Sequence, residues 1–214
     1  MPQHEKNKLI ALQWRKAWAN RSFKIKTIVG SISLTIILVS FPRFFAIIEL
    51  RKGIYLEDVL LNNIPSIDFS IPIFIIIWST ALLLINRMLK SPGLFLQFLI
   101  SFLLLCITRI ITISLFPLEA PIGLIAIKDP ISNIFYGGKE VFITKDLFYS
   151  GHTATQFLMF LSFSKKGDKI ITGISSVLIV VLVLFQHIHY TIDVIAAIPF
   201  GYLVYILGKK IASN

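Results

Sequence analysis

Charge is scarce in this chain, and acidic charge scarcer still. Asp, Glu, Lys and Arg make up 15% of its 214 residues, and only 11 are acidic, where a soluble domain carries about 25% charged residues. Too little polar surface is available to cover a water-soluble globule, and that class is excluded. Cysteine is nearly absent: Cys106 is the one instance and lies inside an apolar run, so neither an intrachain disulfide nor a thiolate metal cluster can form. No internal repeat and no low-complexity tract stands out. What is abundant is apolar, with 56% hydrophobic residues, a mean hydropathy of +0.81 and long uncharged runs separated by charged connections. That segregation is the pattern of a polytopic membrane protein, and at this length five or six spanning helices use nearly every residue, leaving one domain.

The apolar runs predict an all-α fold of six transmembrane helices at about 27–49, 68–86, 93–116, 148–164, 170–189 and 191–208. The fourth run is short and the last two nearly abut. A net charge of +10 would suggest nucleic acid in a soluble protein, but its placement points to lipid and no nucleic-acid partner is expected. Lys6, Lys8, Arg15, Lys16, Arg21, Lys24 and Lys26 crowd the start of the chain. With Trp14 and Trp18 one helical turn apart, residues 1–26 read as a basic amphipathic segment on an anionic membrane surface, a solvated basic tail being the plainer alternative. The other basic clusters are Arg87 with Lys90, Lys165 with Lys166 and Lys169, and Lys209 with Lys210. By the positive-inside rule these connections, the N-terminus and the short basic tail 209–214 face the cytoplasm, a pattern consistent with an even number of spans. The first helix then acts as a signal anchor rather than a cleaved signal peptide.

The connection 117–147 faces outward and carries Pro117, Pro121 and Pro130, which exclude a long helix. Ile131–Tyr136 and Glu140–Thr144 flank Gly137, Gly138 and Lys139, so a small hairpin cap is expected.

Ionisable side chains inside spans cost about 2.5–3.5 kcal/mol on insertion scales, which makes each a candidate for function. The predicted topology places Arg109, His152 and the pair His189 and Asp193 toward the same, outer end of the bundle. If the backbone is helical from 189 to 193, Asp193 shares a face with His189 and can orient one imidazole nitrogen, leaving the other as nucleophile or base. Ser150 and Gly151 precede His152, where a glycine at a helix start admits close approach and exposes N–H groups to an anion. Arg109 supplies a planar fork suited to phosphate oxygens. Together these form a phosphoryl-transfer set that needs neither metal nor cofactor. Zinc held by histidines and aspartate is the competing chemistry, with only a His-x-His spacing behind it. The plainer readings are a structural ion pair for Arg109 and a helix-stabilising pair for His189 and Asp193. Arg43 reads as snorkelling to the interface, and His187, about 200° around a helix from His189, as supporting or incidental.

At these residues the sequence resembles the sphingomyelin synthase branch of the type 2 phosphatidic acid phosphatase superfamily. The similarity covers roughly residues 60–200. Arg109-Ile110-Ile111-Thr112 with Leu115-Phe116-Pro117 resembles the family's arginine segment ending in Leu-Pro, departing by the inserted Phe116. Asp146-Leu147-Phe148-Tyr149-Ser150-Gly151-His152-Thr153 resembles its Gly-Asp-Tyr-x-Phe-Ser-Gly-His-Thr box, with Lys145, Leu147 and Tyr149 as the departures. His187-Ile188-His189-Tyr190-Thr191-Ile192-Asp193-Val194 is similar to its His-x-His-Tyr-Thr-x-Asp-Val box and is the most specific segment. Ile64-Pro65-Ser66-Ile67-Asp68 is a weaker match to a Leu-Pro-Asp signal. The broader phosphatase pattern expects an arginine where Val183 stands and a Lys-x6-Arg-Pro box that the chain lacks, and both departures favour the synthase branch.

The resemblance implies that His152, His189 and Asp193 are a catalytic triad, and the apolar runs place it within a single membrane domain, 27–208. It implies head-group transfer: phosphocholine or phosphoethanolamine moves from a glycerophospholipid donor to a lipid alcohol such as ceramide or diacylglycerol, by way of a phosphohistidine. Arg109, Asp146, Ser150 and Gly151 would contact substrate. The alternatives are a lipid phosphate phosphatase or phospholipase C-type hydrolase using the same site, and a non-catalytic lipid binder. The small size and the Ile- and Lys-rich composition lead to the expectation of a bacterial inner membrane, with both termini cytoplasmic and the site facing outward.

Overall fold

The computed structural model describes residues 2–127 and 143–213 of the chain. Among them are seven α-helices: α1 (Gln3–Ala19), α2 (Arg21–Leu50), α3 (Ser70–Met88), α4 (Pro92–Leu115), α5 (Gly151–Ser162), α6 (Lys166–Phe185) and α7 (Thr191–Ser213). The all-α expectation holds for the described residues, whose one β-type pairing is an isolated parallel bridge between Ile54 and Leu118. Five helices, α2, α3, α4, α6 and α7, are long and apolar enough to cross a membrane, which marks an integral membrane protein.

Six such helices were expected, and the fourth is the one that falls short. α5 has 12 residues, about 18 Å at the α-helical rise, against a hydrocarbon core about 30 Å thick. The physical reason lies in residues 146–150, of which the hydropathy pattern counted 148–150 as span. They instead enter as non-helical chain, with Leu147, Tyr149 and Ser150 buried in the protein, and α5 begins only where the Ser150 hydroxyl accepts the Thr153 N–H at 3.3 Å. Non-helical backbone at this depth is tolerated because protein surrounds it.

Local signals account for the other boundaries. Asn20 separates α1 from α2 by accepting the Phe23 N–H at 3.1 Å, so α2 starts earlier than the apolar pattern and runs 30 residues. Ser91 caps α4 through the Leu94 N–H, with Pro92 in the first turn, where its missing N–H costs no bond. α1 buries none of its residues, but it is pinned to the bundle. Trp14 donates its indole N–H to the Leu89 carbonyl at 2.8 Å, and both Trp14 and Trp18 lie edge-on to Phe23. The predicted hairpin cap falls almost wholly on 128–142 and lies outside the described residues.

α4 is the central element, packed on α7, α2 and α5. Leu105, Leu158, Ala197 and Val204 form one buried cluster, and Ile73, Ile179, Val183 and Val194 a second around α3, α6 and α7. Arg87 closes the end opposite Arg109 with a two-pronged salt bridge to Asp168, 2.7 and 2.9 Å. Buried Gln156 on α5 donates to the Thr80 hydroxyl of α3 at 2.8 Å.

Candidate active site

Arg109 sits six residues before the end of α4 and is 8% exposed. Its guanidinium donates through Nε to the Tyr149 carbonyl at 3.2 Å and pairs through Nη2 with the Asp146 carboxylate. The segment entering α5 is therefore wrapped around an arginine. Tyr149 secures the same strap from the other side: its hydroxyl shares a 2.8 Å hydrogen bond with Thr108, and its ring stacks on Phe200 at 4.6 Å. Ser150 ties the strap to α7, its N–H donating to the Asp193 carbonyl at 3.0 Å.

These contacts bring the three separate sequence segments together. The rings of His152 and His189 meet edge-on at 62°, with centroids 5.9 Å apart. Behind His189, the Asp193 carboxylate lies 3.5 Å from Nδ1. His189 is 2% and Asp193 0% exposed, while His152 is half-buried. Asp193 also accepts the Tyr190 N–H at 3.0 Å. A carboxylate so placed stands behind one imidazole nitrogen and leaves the opposite one for chemistry.

The route to this arrangement differs from the expected one. Residues 186–190 are not helical: α6 stops at Phe185, and the chain turns a corner in which His187 adopts φ 54°. His189 and Asp193 consequently meet across a corner and the first turn of α7, not along a helix face. His187 leaves the site altogether. Its Nδ1 lies 2.8 Å from the Ile122 carbonyl, and its ring packs on Gly123, where a Cβ would stand 3.1 Å from that nitrogen.

Of the other residues singled out in the sequence, Ser150 spends its hydroxyl on capping α5. Gly151 gives its side-chain space to Arg109. Asp146 is on the guanidinium. Arg43 lies within α2.

Several supporting residues carried no signal in the sequence. Glu49 accepts the Thr144 hydroxyl and N–H and the Lys145 N–H at 2.6–2.7 Å. Lys145 in turn pairs with Glu119 at 2.9 Å. Gln186, fully buried, bridges Ser70, Phe69 and Ile125. Asp58 grips Thr191 at the start of α7. The partners lie between 26 and 133 residues apart in the chain, beyond the reach of any local motif.

No curated protein and no solved structure matches this chain significantly. Residues 145–210 do match one family, described as PAP2 superfamily C-terminal. The matched stretch contains Asp146, Ser150, Gly151, His152, His189 and Asp193 and stops short of Arg109, and it supports a place for the chain in the PAP2 superfamily without extending to the sphingomyelin synthase branch.

Proposed function

We propose that this protein is a membrane phosphotransferase that moves a phospho-head group, phosphocholine or phosphoethanolamine, from a glycerophospholipid to a lipid alcohol such as ceramide or diacylglycerol. The observation that carries the reading is the adjacent pair of His152 and His189 with Asp193 3.5 Å behind the latter. The superfamily match supports the coarser class, a phosphatase- or phosphotransferase-type lipid enzyme.

His189 attacks phosphorus through the nitrogen remote from Asp193. As the P–N bond forms, the P–O bond to diacylglycerol breaks, and protonated His152 gives its proton to the departing oxygen. His152, now neutral, takes the proton of the incoming lipid hydroxyl. That oxygen attacks the phosphohistidine, the P–N bond breaks and His189 is restored. Arg109 and the N–H groups at the start of α5 stabilise charge on the phosphoryl oxygens. Asp146 holds Arg109 in place beside Gly151. Water in place of the lipid alcohol completes the same cycle as hydrolysis, so exclusion of water decides the outcome. In this reading the site faces outward from a bacterial inner membrane with both termini cytoplasmic, as the distribution of lysine and arginine suggests.

The test is head-group transfer by purified protein in detergent, with fluorescent ceramide and either phosphatidylcholine or phosphatidylethanolamine, alongside His189→Ala. A new phospho-ceramide, absent in the variant, is the expected result. Diacylglycerol with free phospho-head group, or phosphate released from phosphatidic acid, and no ceramide product would replace the transferase with a hydrolase on the same residues.

A further inference from the structure

The corner at 186–190 presents a mechanical problem. His189 sits in irregular chain two residues after His187 with its φ of 54°, so helix continuity does not dictate where its ring points. Contacts from outside the corner must do so.

Two carboxylates take consecutive backbone N–H groups there. Asp193 accepts from Tyr190 at 3.0 Å, and Asp58 accepts from Thr191 at 2.6 Å. Asp58 uses its second oxygen for the Thr191 hydroxyl at 2.9 Å. One residue is thereby held by both main chain and side chain, which restrains the rotation of the first turn of α7 as well as its position. The negative charge also lies at a helix N-terminus, where the dipole favours it.

The grip is transmitted to a firm base. Asp58 is held in its own turn by the N–H groups of Leu60 and Leu61 at 3.1 and 3.2 Å. The chain leading to it is bridged to the 117–119 segment, with Ile54 donating to the Pro117 carbonyl at 2.8 Å and Glu119 to the Ile54 carbonyl at 3.0 Å. Gly53 permits that pairing, because a Cβ there would stand 2.6 Å from the Leu118 carbonyl carbon. Tyr190 closes the frame by donating its hydroxyl to the Glu119 carbonyl at 3.1 Å. Burial raises the Asp58 carboxyl, but the donors around it outweigh burial and bring it below its ordinary value, as expected of a carboxylate that works in its charged form.

We propose that Asp58 is a positioning residue: by holding Thr191 it sets the corner that presents His189 to Asp193 and His152. The inference rests on the proposed function for its catalytic meaning and on the hydrogen bonds alone for its structural one.

Asp58→Ala removes every acceptor. Asp58→Asn keeps one oxygen but turns an amide NH2 toward the Thr191 donors. Purified full-length variants are compared with wild type by amide hydrogen exchange and by steady-state head-group transfer. In Asp58→Ala, exchange over 189–194 becomes at least tenfold faster while α4 is unchanged, and kcat falls at least tenfold with KM within twofold. Asp58→Asn shows the same pattern at smaller amplitude, and it decides the matter if Asp58→Ala loses protection throughout the protein. Unchanged exchange at the corner overturns the clamp. Faster exchange with unchanged kcat, or a loss confined to KM, overturns the positioning role. If wild type turns over no lipid at all, the proposed function and the positioning of a catalytic histidine fall together, and the exchange data still report whether Asp58 holds the corner.

Discussion

The guanidinium of Arg109 occupies the space that a side chain on Gly151 would fill: a Cβ there would stand 2.5 Å from Nη1 and 2.6 Å from Cζ. The glycine of the Ser-Gly-His segment is thus required by a residue that lies 42 positions earlier on another helix. Arg109 cannot retreat, since Asp146 and the Tyr149 carbonyl hold it from either side.

Gly151→Ala is therefore expected to displace the guanidinium by roughly 1 Å and to reduce turnover about 100-fold, the scale on which a misplaced charge stabiliser acts. Circular dichroism of the variant should match wild type, because Ala is the better helix former. Turnover within a few-fold of wild type would show that Arg109 is not needed where it stands.

A second glycine contact tests the packing of the bundle. At Gly208 of α7 a Cβ would stand 2.8 Å from both Cα and N of Ser101 on α4, and backbone cannot yield as a side-chain tip can. Gly208→Ala should cost about 1–3 kcal/mol by forcing the helices apart. Gly93→Ala is the matched control, since nothing lies within 4 Å of its Cβ position; it should be neutral or slightly stabilising. Thermal unfolding in one detergent, with all three proteins side by side, separates these outcomes.

The Arg87–Asp168 pair joins the end of α3 to the start of α6, and the Asp168 side chain is 9% exposed against 27% for Arg87. Removing the arginine strands a largely buried carboxylate, so Arg87→Ala should cost about 2–3 kcal/mol, somewhat less than the roughly 3–5 kcal/mol of a fully buried broken pair because Arg87 reaches solvent. Arg87→Lys should recover only part of this, having no fork to match both carboxylate oxygens. In the double variant Arg87→Ala/Asp168→Asn the loss should be smaller than the sum of the single losses, which a double-mutant cycle measures directly.

Acid should loosen the start of α7. The Asp58 carboxyl lies below its ordinary value, so the folded protein holds this proton less tightly than the unfolded chain. Its contribution is present in full above the ordinary Asp value of about 4 and is lost as pH falls through the lower folded value. Hydrogen exchange at Thr191, corrected for the intrinsic pH dependence of exchange, should accelerate on acidification below about pH 4 in wild type. The same profile should be flat in Asp58→Asn. A flat wild-type profile would contradict the assignment of a charged carboxylate to this contact.

The long apolar runs and the placement of lysine and arginine sufficed to read an all-helical membrane protein from the chain. The polar residues within those runs sufficed to single out Arg109, His152, His189 and Asp193. Both readings depend on properties that each residue carries with it. The cost of burying charge in an apolar run and the length of a run needed to span a bilayer are local quantities, written in composition and spacing.

Tertiary structure decided the rest. That residues 146–150 form a strap around Arg109 and leave α5 with 12 residues, that His189 stands in a corner instead of on a helix, and that His187 turns away to Ile122 all depend on partners supplied by distant parts of the chain. Asp58 illustrates the limit most plainly. In its own segment it is only a turn-forming aspartate, and its grip on Thr191, 133 residues away, exists because the folded bundle brings the connection between α2 and α3 over the start of α7. Hydropathy is summed along a chain, whereas a hydrogen bond is made across space, and the geometry of this site is built from hydrogen bonds.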